Sequence, residues 1–371
     1  MKILKNITVF TMVMLLSVST VLEAREKNIS NFSSSASNLV DSTGTFDGNR
    51  IYADVANNGL FLDFSVSGDS ALEWPKGTGV HSIFQSALWM GATVNGSIRT
   101  IVGDYTQDMG PGPWGGDPLA AVHRIYKVEK SMLASPLDFA DFQEWPVEFG
   151  APWVDVDGDG VYTPLPGGTD HPEFLGDQVL WFVSNDGDPA YKLNFGTSPM
   201  NVEIQTTMFG FDRPDVFGDM VFLKQLVINK GSDDLVDTYM GLWSDPDLGY
   251  AGDDFVGCDV ALGMGYVWND GDDSQYSTLD IGTPAAGYDF FQGPMVPCED
   301  GDSEEVCPTE GAKMFGTRHP GMKNLKMSSF AFYINGDATY TDPSDETEGY
   351  FYLQGLRKDG SAYPAEIAGD L

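Results

Sequence analysis

Residues 201–211 alternate: Val202, Ile204, Thr206 and Met208 fall on one side, and Glu203, Gln205 and Thr207 on the other. A period of two is the mark of a strand with one face on a core. Val179–Val183 is an unbroken apolar run, which fits a strand covered on both faces. Ile51–Val55 and Leu60–Val66 flank the turn residues Asn57-Asn58-Gly59, a pattern that predicts a hairpin. Ile83–Val94 and Ile98–Val102 flank Asn95-Gly96 in the same way. Met220–Asn229, Thr238–Trp243, Val260–Trp268 and Phe330–Ile334 supply further strand patterns, and only about 120–145 is compatible with helix. Strands that follow one another without amphipathic helices predict a mainly β fold of antiparallel, sandwich-like sheets. The 43 Gly and 21 Pro residues place long, Gly/Pro-rich loops between them.

The first 24 residues depart from this pattern. Lys2 and Lys5 precede a mostly apolar stretch, Ile7 to Leu22, and Leu22-Glu23-Ala24 ends in a small residue. These are the three parts of a secretory signal peptide. Residues 25–48 are polar and Ser-rich, which predicts a flexible leader, with order beginning near Asn49. A boundary falls either in the Gly/Pro-rich stretch 109–118 or in the acidic stretch 155–178. That divides the chain into an N-terminal β region, 49–150, and a second β region with acidic loops, 151–371, unless the two form one continuous domain. Beyond the signal no segment is apolar over a bilayer's width, so the mature chain is expected to have no membrane span.

Charge narrows the partners. The chain has 55 acidic against 20 basic residues, and loss of residues 1–24 leaves 54 against 18. Such a chain repels nucleic acid and anionic lipid and attracts cations. Export also bears on the three cysteines. Cys298 and Cys307 bracket the acidic loop CEDGDSEEVC and are expected to close it as a disulfide, leaving Cys258 as a buried thiol.

Residues 155–165, DVDGDGVYTPL, place Asp155, Asp157 and Asp159 on alternate positions, followed by Gly160. Calcium takes six to eight hard oxygen ligands, and a D-x-D-x-D-G turn wraps three carboxylates and a backbone carbonyl, here that of Val161, around one point. An EF-hand would need Glu at the twelfth position; Pro166 stands there and no amphipathic helix flanks the loop. The expectation is a structural calcium loop set between strands, anchored by Tyr162, with further ligands from Asp170, Glu173 or Asp177. A second acidic stretch, WSDPDLGYAGDDFVGCD, contains Asp245, Asp247, Asp253, Asp254 and Asp259 without the spacing of a single metal loop. Asp245, Asp247, Asp253 and Asp254 are weaker metal candidates. WNDGDD (Asn269 to Asp273) and SNDGD (Asn185, Asp186, Asp188) are expected to be plain turns. Trp followed closely by Asp or Asn recurs in LWFVSND, LWSDPD and VWNDGD, as strand ends rather than as a blade repeat.

Residues 110–115, GPGPWG, match G-x-G-x-x-G only formally, lacking the strand before and helix after that a nucleotide site needs. No Walker A loop, G-x-S-x-G or H-E-x-x-H is present, and His81, His123, His171 and His319 are scattered. Two carboxylates facing a cleft are enough for a glycosidase, and Trp74, Trp89 or Trp114 could stack on sugars.

NNGLF (57–61), EWPKGTG (73–79), ALWMGATVNG (87–96), GAPWVDVDGDGVYTP (150–164), GDQVLWFVSND (176–186), LWSDPDLGYAGDDFVGCD (242–259), AAGYDFFQGP (285–294) and FAFYING (330–336) together resemble a family of large exported proteins of Bacteroidota and related marine bacteria. Members often carry a type IX secretion sorting domain. The resemblance implies an exported, β-rich surface or extracellular protein. The sequence departs from the family at Ala368-Gly369-Asp370-Leu371, where no Gly-rich terminal β-domain or basic tail follows.

The expected function is therefore that of a secreted or cell-surface, calcium-stabilised protein with a structural or adhesive role and extracellular matrix, glycan or cell-surface partners. The alternative is an extracellular glycan-binding module or a glycoside hydrolase.

Overall fold

The computed structural model describes residues 43–165, 170–334 and 337–364. The predicted signal peptide and residues 25–42 of the predicted leader lie outside them. Order begins earlier than expected, since Thr43–Phe46 is already a strand paired with Tyr52–Ala56.

The molecule is mainly β, built of small antiparallel sheets arranged as a four-blade, propeller-like ring. This arrangement does not require the stacked pair of a sandwich. The recurring Trp-Asp phrases fall in three different sheets: Trp181 in Gln178–Asn185, Trp243 in Val236–Asp245 and Trp268 in Met264–Asn269. Two sheets cross residue 150, because Tyr126–Glu129 pairs with Gln178–Asn185, and Gln85–Val94 pairs with Val236–Asp245.

The Gln178–Asn185 strand shows why an unbroken apolar run folds as it does. All eight of its residues are buried. Leu180 and Phe182 pack with Phe46, Ala53, Val55 and Met208 on one face. On the other, Val179, Trp181 and Val183 pack with Tyr126, Phe142 and Trp145. Gln85–Val94 is covered on both sides in the same manner: Leu88, Met90, Ala92 and Val94 point into one cluster, Ala87 and Trp89 into another. Two-sided burial is what turns alternation into a continuous run.

The neighbouring strand Val202–Gly210 keeps its predicted sides, with Val202, Ile204 and Met208 in the core. Its other face is largely buried too. Glu203 is 1% exposed, and its carboxylate accepts from the Trp114 backbone and the Gln205 amide and pairs with Lys230 at 3.3 Å.

Asn95-Gly96 makes the predicted hairpin between Gln85–Val94 and Ser97–Ile101, with positive φ at both residues (52° and 80°) as a type I′ turn requires. Asn57-Asn58-Gly59 does not. Tyr52–Ala56 pairs with Thr43–Phe46 and Leu72–Glu73, while Leu60–Leu62 joins a different sheet beside Gln85–Val94. The turn diverts the chain between sheets, because the buried Asn58 spends its side chain on the Leu60 amide and Asp63. Phe330–Ile334 forms no strand ladder. Residues 120–145 hold short 3-10 turns and the one-turn helix Ala140–Gln143. The longest helix among the described residues, Glu346–Leu353, was not expected: its sequence ETEGYFYL has a weak helical pattern, and it starts because the Asp345 carboxylate caps the Thr347 and Glu348 amides.

Cys298 and Cys307 are joined in a disulfide, with Cα atoms 5.9 Å apart. Cys258 is free and half-buried rather than buried.

Candidate functional site

The strand pair Trp153–Val154 and His171–Pro172 sets the geometry of the acidic loop. Trp153 lies opposite Pro172 and Val154 opposite His171, so the residues just outside the ladder, Asp155 and Asp170, are brought together. Tyr162 anchors the far side: its hydroxyl donates to the Phe142 carbonyl at 2.6 Å and its ring meets Trp153 edge-on at 5.6 Å. Between these anchors the chain turns tightly, with Gly158 and Gly160 at φ +79° and +76° where a side chain would be strained.

Within that turn each carboxylate is aimed by the backbone. Asp155 accepts from the Gly158 and Gly160 amides, Asp157 from Asp159, and Asp159 from Val161. The buried Asp170 accepts from Val156 and Thr163, closing the loop from below. One oxygen from each of Asp155, Asp157, Asp159 and Asp170 lies within 4.8 Å of the others, and this group could hold a metal ion. Two ligands on one calcium at about 2.4 Å lie no more than about 4.8 Å apart, so the span matches a shared ion.

Asp170 thus joins the three alternating aspartates as expected, whereas Glu173 and Asp177 do not. Glu173 faces Lys224 at 3.6 Å and Asp177 accepts from the Asp212 amide. Val161 is exposed, and its carbonyl takes a long 3.3 Å bond from the Thr163 hydroxyl.

The second acidic stretch is built differently. Asp254 opens the unexpected strand Asp254–Asp259 and accepts from the Leu248 amide. Asp253 takes the Asn269 amide, Asp245 the Tyr105 hydroxyl, and Asp259 the Leu262 amide. Among the described residues only the 155/157/159/170 group converges closely enough for a metal, so Asp245, Asp247, Asp253 and Asp254 are not gathered as ligands. Burial pushes the Asp254 carboxyl up to about 7, and the nearby charges of Asp247, Asp253 and Asp273 add to the rise. Asp273, expected in a plain turn, is fully buried and accepts from the Tyr250, Gln275 and Tyr276 amides. No spacing rule singles it out; only its following Tyr276, also buried, hints that the turn folds inward.

Beside this stretch opens a cavity of about 1400 Å³. Its floor is the outer face of the Gln85–Val94 and Val236–Asp245 pair, where Trp89 and Trp243 stack at 5.7 Å and Tyr105 meets Trp243 edge-on. The Trp243 indole donates to the Tyr333 hydroxyl at 2.6 Å. Tyr250 and Phe255, both more than a third exposed, also line it. Asp245, Asp247, Asp254 and Asp342 stand in the wall, and burial raises the Asp342 carboxyl as well. Of the tryptophans considered for stacking, Trp89 is in this cavity, Trp114 is exposed but tied to Asn201, and Trp74 is half-buried and donates to Asp219.

No family model, no curated protein and no solved structure matches the chain. Among the described residues no helix is long and apolar enough to cross a membrane.

Proposed function

We propose that the protein is an exported, calcium-stabilised β-rich protein with a structural or adhesive role outside the cell. The observation that carries this reading is the convergence of Asp155, Asp157, Asp159 and Asp170 within 4.8 Å on a loop pinned at both ends. Four carboxylates so close repel one another unless a cation offsets them, and a cluster of hard oxygens suits calcium better than softer metals. The ion would hold the Asp155–Thr163 turn against Asp170 and so brace the Trp153 and Tyr162 packing beneath it. The signal-like N-terminus, the disulfide and the resemblance to exported Bacteroidota proteins support the extracellular setting. Sandwich-like stacking of the two central sheets belongs to the same reading: the shared cluster of Met90, Ile101, Val202 and Ile204 supports it. Calorimetric titration of the chelator-treated protein tests the site. The expected result is one calcium site that Asp157→Ala abolishes; an unchanged isotherm in that variant would refute it.

The aromatic cavity favours a second reading, binding of a glycan. The exposed Tyr250 and Phe255 rings beside carboxylates in the cavity wall suit the apolar faces and hydroxyls of a pyranose ring. Affinity electrophoresis against neutral polysaccharides should show retardation that Phe255→Ala weakens. No retardation on any of them would set this reading aside.

A further inference from the structure

Away from both acidic stretches, a charged group is sealed inside the protein. The Lys192, Asp108 and Asp186 side chains are 1%, 2% and 0% exposed. Lys192 Nζ lies 2.8 Å from Asp108 Oδ2 and 4.0 Å from Asp186 Oδ2, and it donates to the Thr100 carbonyl at 2.5 Å. Asp108 Oδ2 also accepts from the Val102 amide, while Asp108 Oδ1 and Thr100 Oγ1 have no hydrogen-bond partner. Asp186 accepts from the Met200 and Val202 amides. The adjoining Ile101, Val102, Met109, Met200 and Val202 are all buried, so the triad sits in an apolar surround.

One ammonium and two carboxylates in a dry core carry a heavy desolvation cost. Burial pushes the Asp108 and Asp186 carboxyls upward, against the opposing pull of the Lys192 charge. Passage of one proton from Lys192 Nζ to Asp108 Oδ2, along the 2.8 Å contact that the fold already holds, would set an amine against a carboxylic acid. That pre-alignment is the condition under which an unactivated pair reacts.

We propose that Lys192 and Asp108 condense into an intramolecular isopeptide bond, with Asp186 relaying the proton. Neutral Nζ attacks Cγ of the Asp108 carboxylic acid, and the C–N bond forms. The Asp186 carboxylate takes the proton released by nitrogen and returns it to the departing hydroxyl. The C–O bond breaks and one water leaves; no oxidant, metal or co-substrate enters the balance. The link joins positions 84 apart in the chain, tying the segment after Ser97–Ile101 to the segment after Gln178–Asn185. It is independent of the calcium loop.

Mass spectrometry of the full chain, denatured and with Cys298–Cys307 reduced, tests this. Trypsin should fail to cleave after Lys192 and should yield a branched peptide containing Asp108, lighter than its two parts by one water. Lys192→Met and Asp108→Ala should abolish the branched peptide, and Asp186→Ala should leave the two parts unlinked in a chain of full mass. Ordinary cleavage after Lys192 in the wild type would overturn the proposal without recourse to any variant. A branched peptide that persisted in Asp186→Ala would overturn the relay.

Discussion

The stretches 155–170 and 245–273 are both crowded with aspartate, yet they are opposite kinds of structure. In the first, four carboxylates converge on one point, three of them at the surface. In the second, the carboxylates of Asp245, Asp253, Asp254, Asp259 and Asp273 each take a separate partner, and two of them serve as struts: Asp273 gathers three backbone amides and Asp254 caps Leu248. Acid density alone therefore says little about a metal. What separates the two is placement, since alternate positions on one tight turn can share a centre, while acids spread over a strand and its flanking turns cannot.

The largest effect should come from the strut. Asp273→Ala leaves three amides without their acceptor in a buried site, and should cost about 3–5 kcal/mol of stability. Chemical denaturation with calcium and with chelator should give the same loss, because no ion is involved; a loss confined to calcium would erase the contrast between the two stretches.

Next in size is the loop. At a calcium concentration a hundred times its dissociation constant, binding contributes about 2.7 kcal/mol. Asp157→Ala should lose roughly that amount in calcium and nothing in chelator; equal losses in both would make the loop an ordinary polar turn. The Cys298–Cys307 loop offers a control of similar size, with Cys298→Ser costing about 2–3 kcal/mol whether or not calcium is present.

The smallest effect is a pH dependence in the second stretch. The Asp254 carboxyl is raised to about 7 in the folded protein from a usual value of 3.8. Between these values the folded chain binds the extra proton, so this group's contribution to stability is greatest below about pH 4 and declines as pH rises to 7. Asp254→Asn should flatten that decline and gain about 1–2 kcal/mol at pH 8, discounted for partial exposure. An unchanged pH profile would place Asp254 in water.

How much of this was legible follows from what each residue type can signal. The calcium-type loop was readable because its ligands are consecutive in sequence and its glycines mark the turn; even Asp170 was within reach. Two-sided burial of Val179–Val183 was readable from its unbroken apolar run. The struts were not, because Asp273 and Asp186 sit in Asn/Asp-Gly phrases that look like solvent turns, and only tertiary packing folds them inward. The predicted hairpin at Asn57 failed for a related reason: a turn motif fixes local direction, not which sheet the next strand joins. The Asp254–Asp259 strand was hidden by its own charge, since its acids read as loop.

Thermal unfolding of residues 25–371 at fixed ionic strength, in calcium, in magnesium and in chelator, tests the central claim most directly. The account predicts a rise in midpoint of several degrees in calcium only, which Asp157→Ala removes. Identical midpoints in all three would contradict it.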